Sequence, residues 1–183
     1  MRKANGIITV MILILFVYHM IGGILQLTGL IKGGNPLFIY PAFVMIALVI
    51  LHVIFGIKLT IDTMIAAKKT GVSYWKDNGL FWLRRISGFA LFLFMGCHVL
   101  LFAGIGGGGI YRLRYFNVFA LLTQILMVLS LALHVMTNIP PLRISLGLTD
   151  RRNFRMDLLI VLGILLFMAG ASFFIYFIRW CMV

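Results

Sequence analysis

The chain reads as an all-α integral membrane protein with five transmembrane helices, and three features of its 183 residues lead there. First, 63% of the residues are hydrophobic and 11% charged, with a mean hydropathy of +1.12. A water-soluble domain of this size could not hide so much apolar surface. Second, the apolar residues fall into runs of roughly 20 or more, enough to cross a hydrocarbon layer as helix. The runs do not alternate as the strands of a membrane barrel do. Third, the cations are lopsided. With the N-terminus inside and five crossings, 12 of the 16 Lys and Arg residues fall on the inner side. Only Lys32, Arg112, Arg114 and Arg179 fall outside, a positive-inside pattern that puts the C-terminus outside.

The first segment runs from about Gly6 to Ile31 and carries His19. Met1-Arg2-Lys3 before it looks like the start of a secretory signal, but no small-x-small cleavage site follows and the run is long enough to span, so it is read as a retained helix. Lys32-Gly33-Gly34-Asn35-Pro36 breaks it. The second segment, about Phe38 to Ala67, carries His52, with Pro41 placed in a first helical turn where proline is tolerated. A polar connector follows, whose Tyr74 and Trp75, with Phe81 and Trp82 beyond it, suit the water–lipid boundary. The third segment, about Leu83 to Ile105, carries His98 and ends at four consecutive glycines, Gly106 to Gly109. The fourth, about Phe116 to Ile139, carries His134 and is expected to stop at Pro140-Pro141. A basic loop, Leu142 to Asp157, leads to the fifth segment, about Leu158 to Ile178, which has no histidine. The whole is one domain. All four acidic residues, Asp62, Asp77, Asp150 and Asp157, lie outside the membrane core on the inner side. The +12 formal charge thus belongs to loops facing lipid headgroups and acidic partners rather than nucleic acid. Cys97 and Cys181 sit on separate apolar segments, so no disulfide framework or CxxC motif is indicated.

The four histidines carry the chemistry. Each lies in a different apolar segment and none lies in a loop. Ionisable side chains at membrane depth are costly and usually functional. One alone is equally well explained by a hydrogen bond between helices; four in four consecutive helices point to a shared task. Depth sorts them. At helical rise His19 lies about 20 Å above the inner end of its segment and His98 about 22 Å above its own. His52 lies about 21 Å below its outer end and His134 about 27 Å below. His19 and His98 therefore form an outer pair, and His52 and His134 an inner pair. In an up-down bundle, parallel helices stand diagonally opposed, so each pair faces itself across the core. Two neutral imidazoles so placed are axial ligands for a haem iron, and two levels would hold two haems. Gly22 and Gly23 beside His19, and Gly56 beside His52, leave room for a macrocycle. Structural zinc needs four ligands at one point, which the two depths oppose. Proton relays normally recruit Asp or Glu, and none is available at depth.

His52-Val53-Ile54-Phe55-Gly56-Ile57-Lys58 with Asp62 resembles the pattern around a haem histidine in succinate dehydrogenase membrane anchors, and Arg85-Ile86-Ser87-Gly88 resembles an opening of their helices. Nearly the whole chain is similar to the single-anchor, di-haem cytochrome b subunit of succinate:quinone and fumarate reductases (the complex II family). Asn138 departs from it, standing after His134 where His52 has Gly56. The resemblance implies two haem b groups, the outer held by His19 and His98 and the inner by His52 and His134. It implies an FAD-containing subunit and an iron–sulfur subunit docked on the cytoplasmic face of a prokaryotic membrane, exchanging electrons through this chain with a quinone, menaquinone by expectation. The catalytic head would lie on those partners. Lys58, Arg84, Arg85 and Arg143 are the candidates for inner haem propionates, and Arg112 and Arg114 for outer ones. Gln26, Gln124 and Ser87 are the candidates for hydrogen bonds to quinone. With no glutamate in the spans, no carboxylate proton route is expected there. The competing readings are a b-type cytochrome of a membrane hydrogenase or formate dehydrogenase, and a haem-free anchor or transporter whose histidines only pack.

Overall fold

Each apolar run becomes one helix. The computed structural model describes residues 1–71, 78–102, 116–147 and 152–182, without the side chains of 152–156. Over them the order is α1 (Arg2–Leu27), α2 (Pro36–Thr70), α3 (Gly79–Phe102), α4 (Val118–Leu146) and α5 (Arg152–Cys181). All five are long and apolar enough to cross a membrane, and there is no strand among the described residues. Large apolar side chains are exposed along the helices, Leu100 at 83% and Phe167 at 77% among them, as suits helices long and apolar enough to sit in hydrocarbon. The protein is a multi-pass membrane protein.

Two hairpins build the bundle. α1 packs along α2 and α3 along α4; α1 and α4 touch, and α5 packs against both. Among the described residues, α2 and α3 make no extended contact. The order around the bundle is thus α2–α1–α4–α3, with one open side. One end is basic, carrying Arg2, Lys3, Lys68, Lys69, Arg84, Arg85 and Arg143; the other carries Lys32 and Arg179. At that second end Leu27, Phe116, Ala120 and Phe173 form a buried cluster joining α1, α4 and α5.

The prolines depart from expectation. α2 begins two residues earlier than expected, at Pro36, and is capped by Asn35, whose side chain accepts from Leu37 N at 3.0 Å. That places Pro41 inside the helix rather than in its first turn. Pro140 and Pro141 do not stop α4, which runs on to Leu146 and ends at Gly147 with φ 72°. Residues Leu142–Leu146 of the expected basic loop are therefore helix, and α5 begins at Arg152 rather than at about Leu158. A proline leaves the carbonyl four residues earlier without its helical donor, and in lipid such a group must be satisfied by a neighbour. The Tyr18 hydroxyl, from α1, donates to Leu37 O at 3.2 Å, the carbonyl freed by Pro41. Arg84 Nε, from α3, donates to Thr137 O at 2.8 Å, the carbonyl freed by Pro141.

Candidate functional site

Four imidazoles face the bundle interior at two levels. Near the basic end, His52 on α2 and His134 on α4 have ring centroids 6.4 Å apart and planes at 85°. Farther along, His19 on α1 and His98 on α3 stand 6.0 Å apart with planes at 83°. Both pairs join diagonal helices. Thr9, which touches His52, and His19 share α1 and are about 15 Å apart along its axis, which sets the distance between levels. A metal–imidazole bond of about 2 Å, with the ring nitrogen about 1.1 Å from the ring centre, puts two imidazoles on opposite sides of one metal roughly 6 Å apart. Among the described residues no three His, Cys, Asp or Glu side chains converge, so each level offers two nitrogens and no more.

Neighbouring oxygens orient three of the rings. The Thr9 hydroxyl donates to Asn5 O at 2.8 Å and lies 3.2 Å from His52 Nδ1. The Ser87 hydroxyl donates to Arg84 O at 3.2 Å and lies 3.4 Å from His134 Nδ1. At His134 the Asn138 Nδ2 donor also stands 3.5 Å from Nδ1, so Ser87 and Asn138 compete for that nitrogen. The Thr9 proton is engaged, so its lone pair accepts from the His52 Nδ1–H. Gln124 does the same more tightly: Nε2 donates to Thr123 Oγ1 at 3.1 Å, and Oε1 accepts from His98 Nδ1 at 2.7 Å. With Nδ1 protonated, Nε2 keeps its lone pair for the interior. His19 differs: its Nδ1 is buried without a hydrogen-bond partner among the described residues.

The rings open on two cavities. One, of about 520 Å³, is lined by all four histidines and by residues of all five helices. The other, of about 510 Å³, lies toward the second end and is lined by His19, His98, Gln26, Lys32 and Arg179 among others. Protein interiors hold few voids larger than a water molecule; these are the size of small-molecule sites. Gly23 and Gly56 line them, and a Cβ on either would meet nothing within 4 Å. Gly22, grouped with Gly23 on sequence grounds, instead takes the ring of Phe38 against its Cα. At Gly88 a Cβ would come 2.9 Å from His134 Cε1, so this glycine makes space for a histidine ring.

The other candidates divide. Arg84 and Arg85 line the larger cavity, and the Arg85 guanidinium also sits 4.9 Å over the Phe81 ring. Lys58 is exposed on the outside of α2, and Arg143 is in the last turn of α4; neither lines a cavity. Arg112 and Arg114 lie outside the described residues. Gln26 lines the smaller cavity, but its Nε2 donates to Gly22 O at 3.1 Å and its Oε1 accepts from Gly34 N at 3.1 Å, which ties down the α1–α2 loop. Gln124, 0% exposed, and Ser87, 2% exposed, line neither cavity and sit behind the histidine rings. Thr9 and Arg179 were not among the expected site residues. A back-bonded helix threonine is ordinary and gives no signal. Arg179 Nη1 donates to Leu27 O at 3.1 Å, a cation on the C-terminus of α1.

Comparison with family models, with curated proteins and with solved structures returns no match.

Proposed function

We propose that the chain is a cytochrome b membrane anchor that carries electrons between a cytoplasmic flavoprotein/iron–sulfur succinate dehydrogenase or fumarate reductase and a membrane quinone. Its N-terminus and basic end face the cytoplasm of a prokaryotic cell. His52 and His134 hold one haem b, and His19 and His98 the second. The observation that carries this reading is two imidazole pairs, 6.4 and 6.0 Å apart, opening on cavities inside a lipid-exposed bundle. The donor set fits: imidazole nitrogens, two per level, one at each level held in one tautomer by Thr9 or Gln124. So does the space beside Gly23 and Gly56.

Bound haem supplies one-electron chemistry at two depths of the membrane. The protein's part is binding, orientation and exclusion of water. Thr9, Ser87 and Gln124 hold the rings; Arg84 and Arg85 place positive charge where carboxylates at the basic end would lie. Lys32 and Arg179 do so at the other end, in the smaller cavity where an apolar quinone such as menaquinone would find Gln26.

The test is a reduced-minus-oxidised spectrum of the purified chain, followed by alanine variants. A b-type band is expected, with His19→Ala and His98→Ala altering one haem and His52→Ala and His134→Ala the other. A wild-type protein without that band sinks the reading. Co-purifying subunits separate the dicarboxylate enzyme from a hydrogenase or formate dehydrogenase.

A further inference from the structure

The two ligands of the level farther from the basic end are held unequally. His98 has its Nδ1 2.7 Å from Gln124 Oε1, the shortest of the three ring contacts, and Gln124 is 0% exposed. The orientation of the Gln124 amide is set in turn by Thr123 Oγ1. Phe102, with its centroid at 4.8 Å, and Phe173, at 6.0 Å, wall the same ring. His19 has no such support. Its Nδ1 is buried and unpartnered among the described residues, and Gly23, on the next turn, leaves open space beside it. A ligating imidazole whose second nitrogen donates to an oxygen is fixed in tautomer and made more basic; loss of such a partner typically lowers metal affinity about 10–100-fold. Among the described residues the His19 ring thus has no hydrogen bond at Nδ1 to resist its turning away.

We propose that the two ligands of this centre are unequal: His98, braced by Gln124, is the fixed ligand, and His19 is the exchangeable one, whose place a small neutral imidazole-like ligand can take. Gln124 is a positioning residue acting through His98, not a contact to quinone. The assignment rests on the haem reading above.

The experiment compares His19→Ala, His98→Ala, Gln124→Leu and Gln124→Glu in the full chain, purified with its haems, and reads spin state, haem content and midpoint potential. The haem on His52 and His134 reports that each variant is folded. His19→Ala should keep its second haem in a high-spin, open-coordinate form that returns to low spin on adding imidazole. His98→Ala should lose that haem, and imidazole should not restore it. Gln124→Leu should weaken retention about 10–100-fold, while Gln124→Glu, which keeps an acceptor oxygen, should retain the haem at a lower potential. Equal loss in the two alanine variants, or retention only in His98→Ala, would overturn the inequality while leaving the haem reading intact. Absence of any b-type band in the wild-type chain would remove the haem reading instead.

Discussion

Thr9 and Ser87 each present one hydroxyl to two tasks: the proton goes to a backbone carbonyl and the oxygen lies against an imidazole Nδ1, shared at His134 with the Asn138 amide. Removing the hydroxyl leaves the histidine in place but frees its tautomer. On the proposed haem reading, Thr9→Val and Ser87→Ala should therefore lower haem retention on His52 and His134 by about 10–100-fold and leave the other level unchanged; titration of haem into the apoprotein measures this. The histidine positions were legible because helical rise converts sequence separation directly into depth. The roles of the polar side chains were not, because they depend on rotation about the axis and on a neighbour. Lys58 follows His52 by about 120° around the helix, which already turns it away from the interior, and it is exposed. Gln124 lies about 80° from His134, enough to bring it behind His98 rather than into a cavity.

At the scale of the helix, α2 and α4 each carry interior proline and still run unbroken, 35 and 29 residues long. At the expected stop, Pro140-Pro141, the helix runs on, and the carbonyl freed by Pro141 takes its donor, Arg84 Nε, from another helix. Sequence around a proline shows the missing N–H and cannot show who replaces it. Arg84→Leu strips the donor from Thr137 O, and stranding a buried carbonyl costs about 1–3 kcal/mol. Pro141→Ala restores a backbone N–H for the same oxygen. Thermal unfolding in detergent should thus show a loss in Arg84→Leu that is largely recovered in the double variant. Simple additivity of the two changes would contradict the pairing. At α2, Tyr18→Phe should show a smaller loss, about 0.5–1.5 kcal/mol, the ordinary size of one net hydrogen bond.

At the scale of the molecule, five spans and a four-helix core bearing the histidines follow from hydropathy and histidine spacing. The open side between α2 and α3 among the described residues does not, because which neighbouring helices touch depends on side-chain shapes along both. The cavities make a direct prediction. Gly56→Phe projects a ring into space where a Cβ meets nothing within 4 Å. If the proposed haem is bound there, this variant should leave the helical content unchanged while abolishing haem retention on His52 and His134, as circular dichroism and absorption spectra together would show. A ligand that binds only the folded state stabilises it by mass action, so the haem-loaded chain should also melt higher than the apoprotein.

The open side between α2 and α3, which make no extended contact among the described residues, bears on biogenesis. The two hairpins meet like the covers of a book bound along α1, α4 and α5, and the fore-edge faces acyl chains. If haem is the occupant, as proposed, a flat, greasy tetrapyrrole could slide between the covers once both hairpins are in the bilayer, without any span being unthreaded. Insertion and cofactor loading are then separable events, and haem added to liposomes already containing the chain should be taken up from within the bilayer.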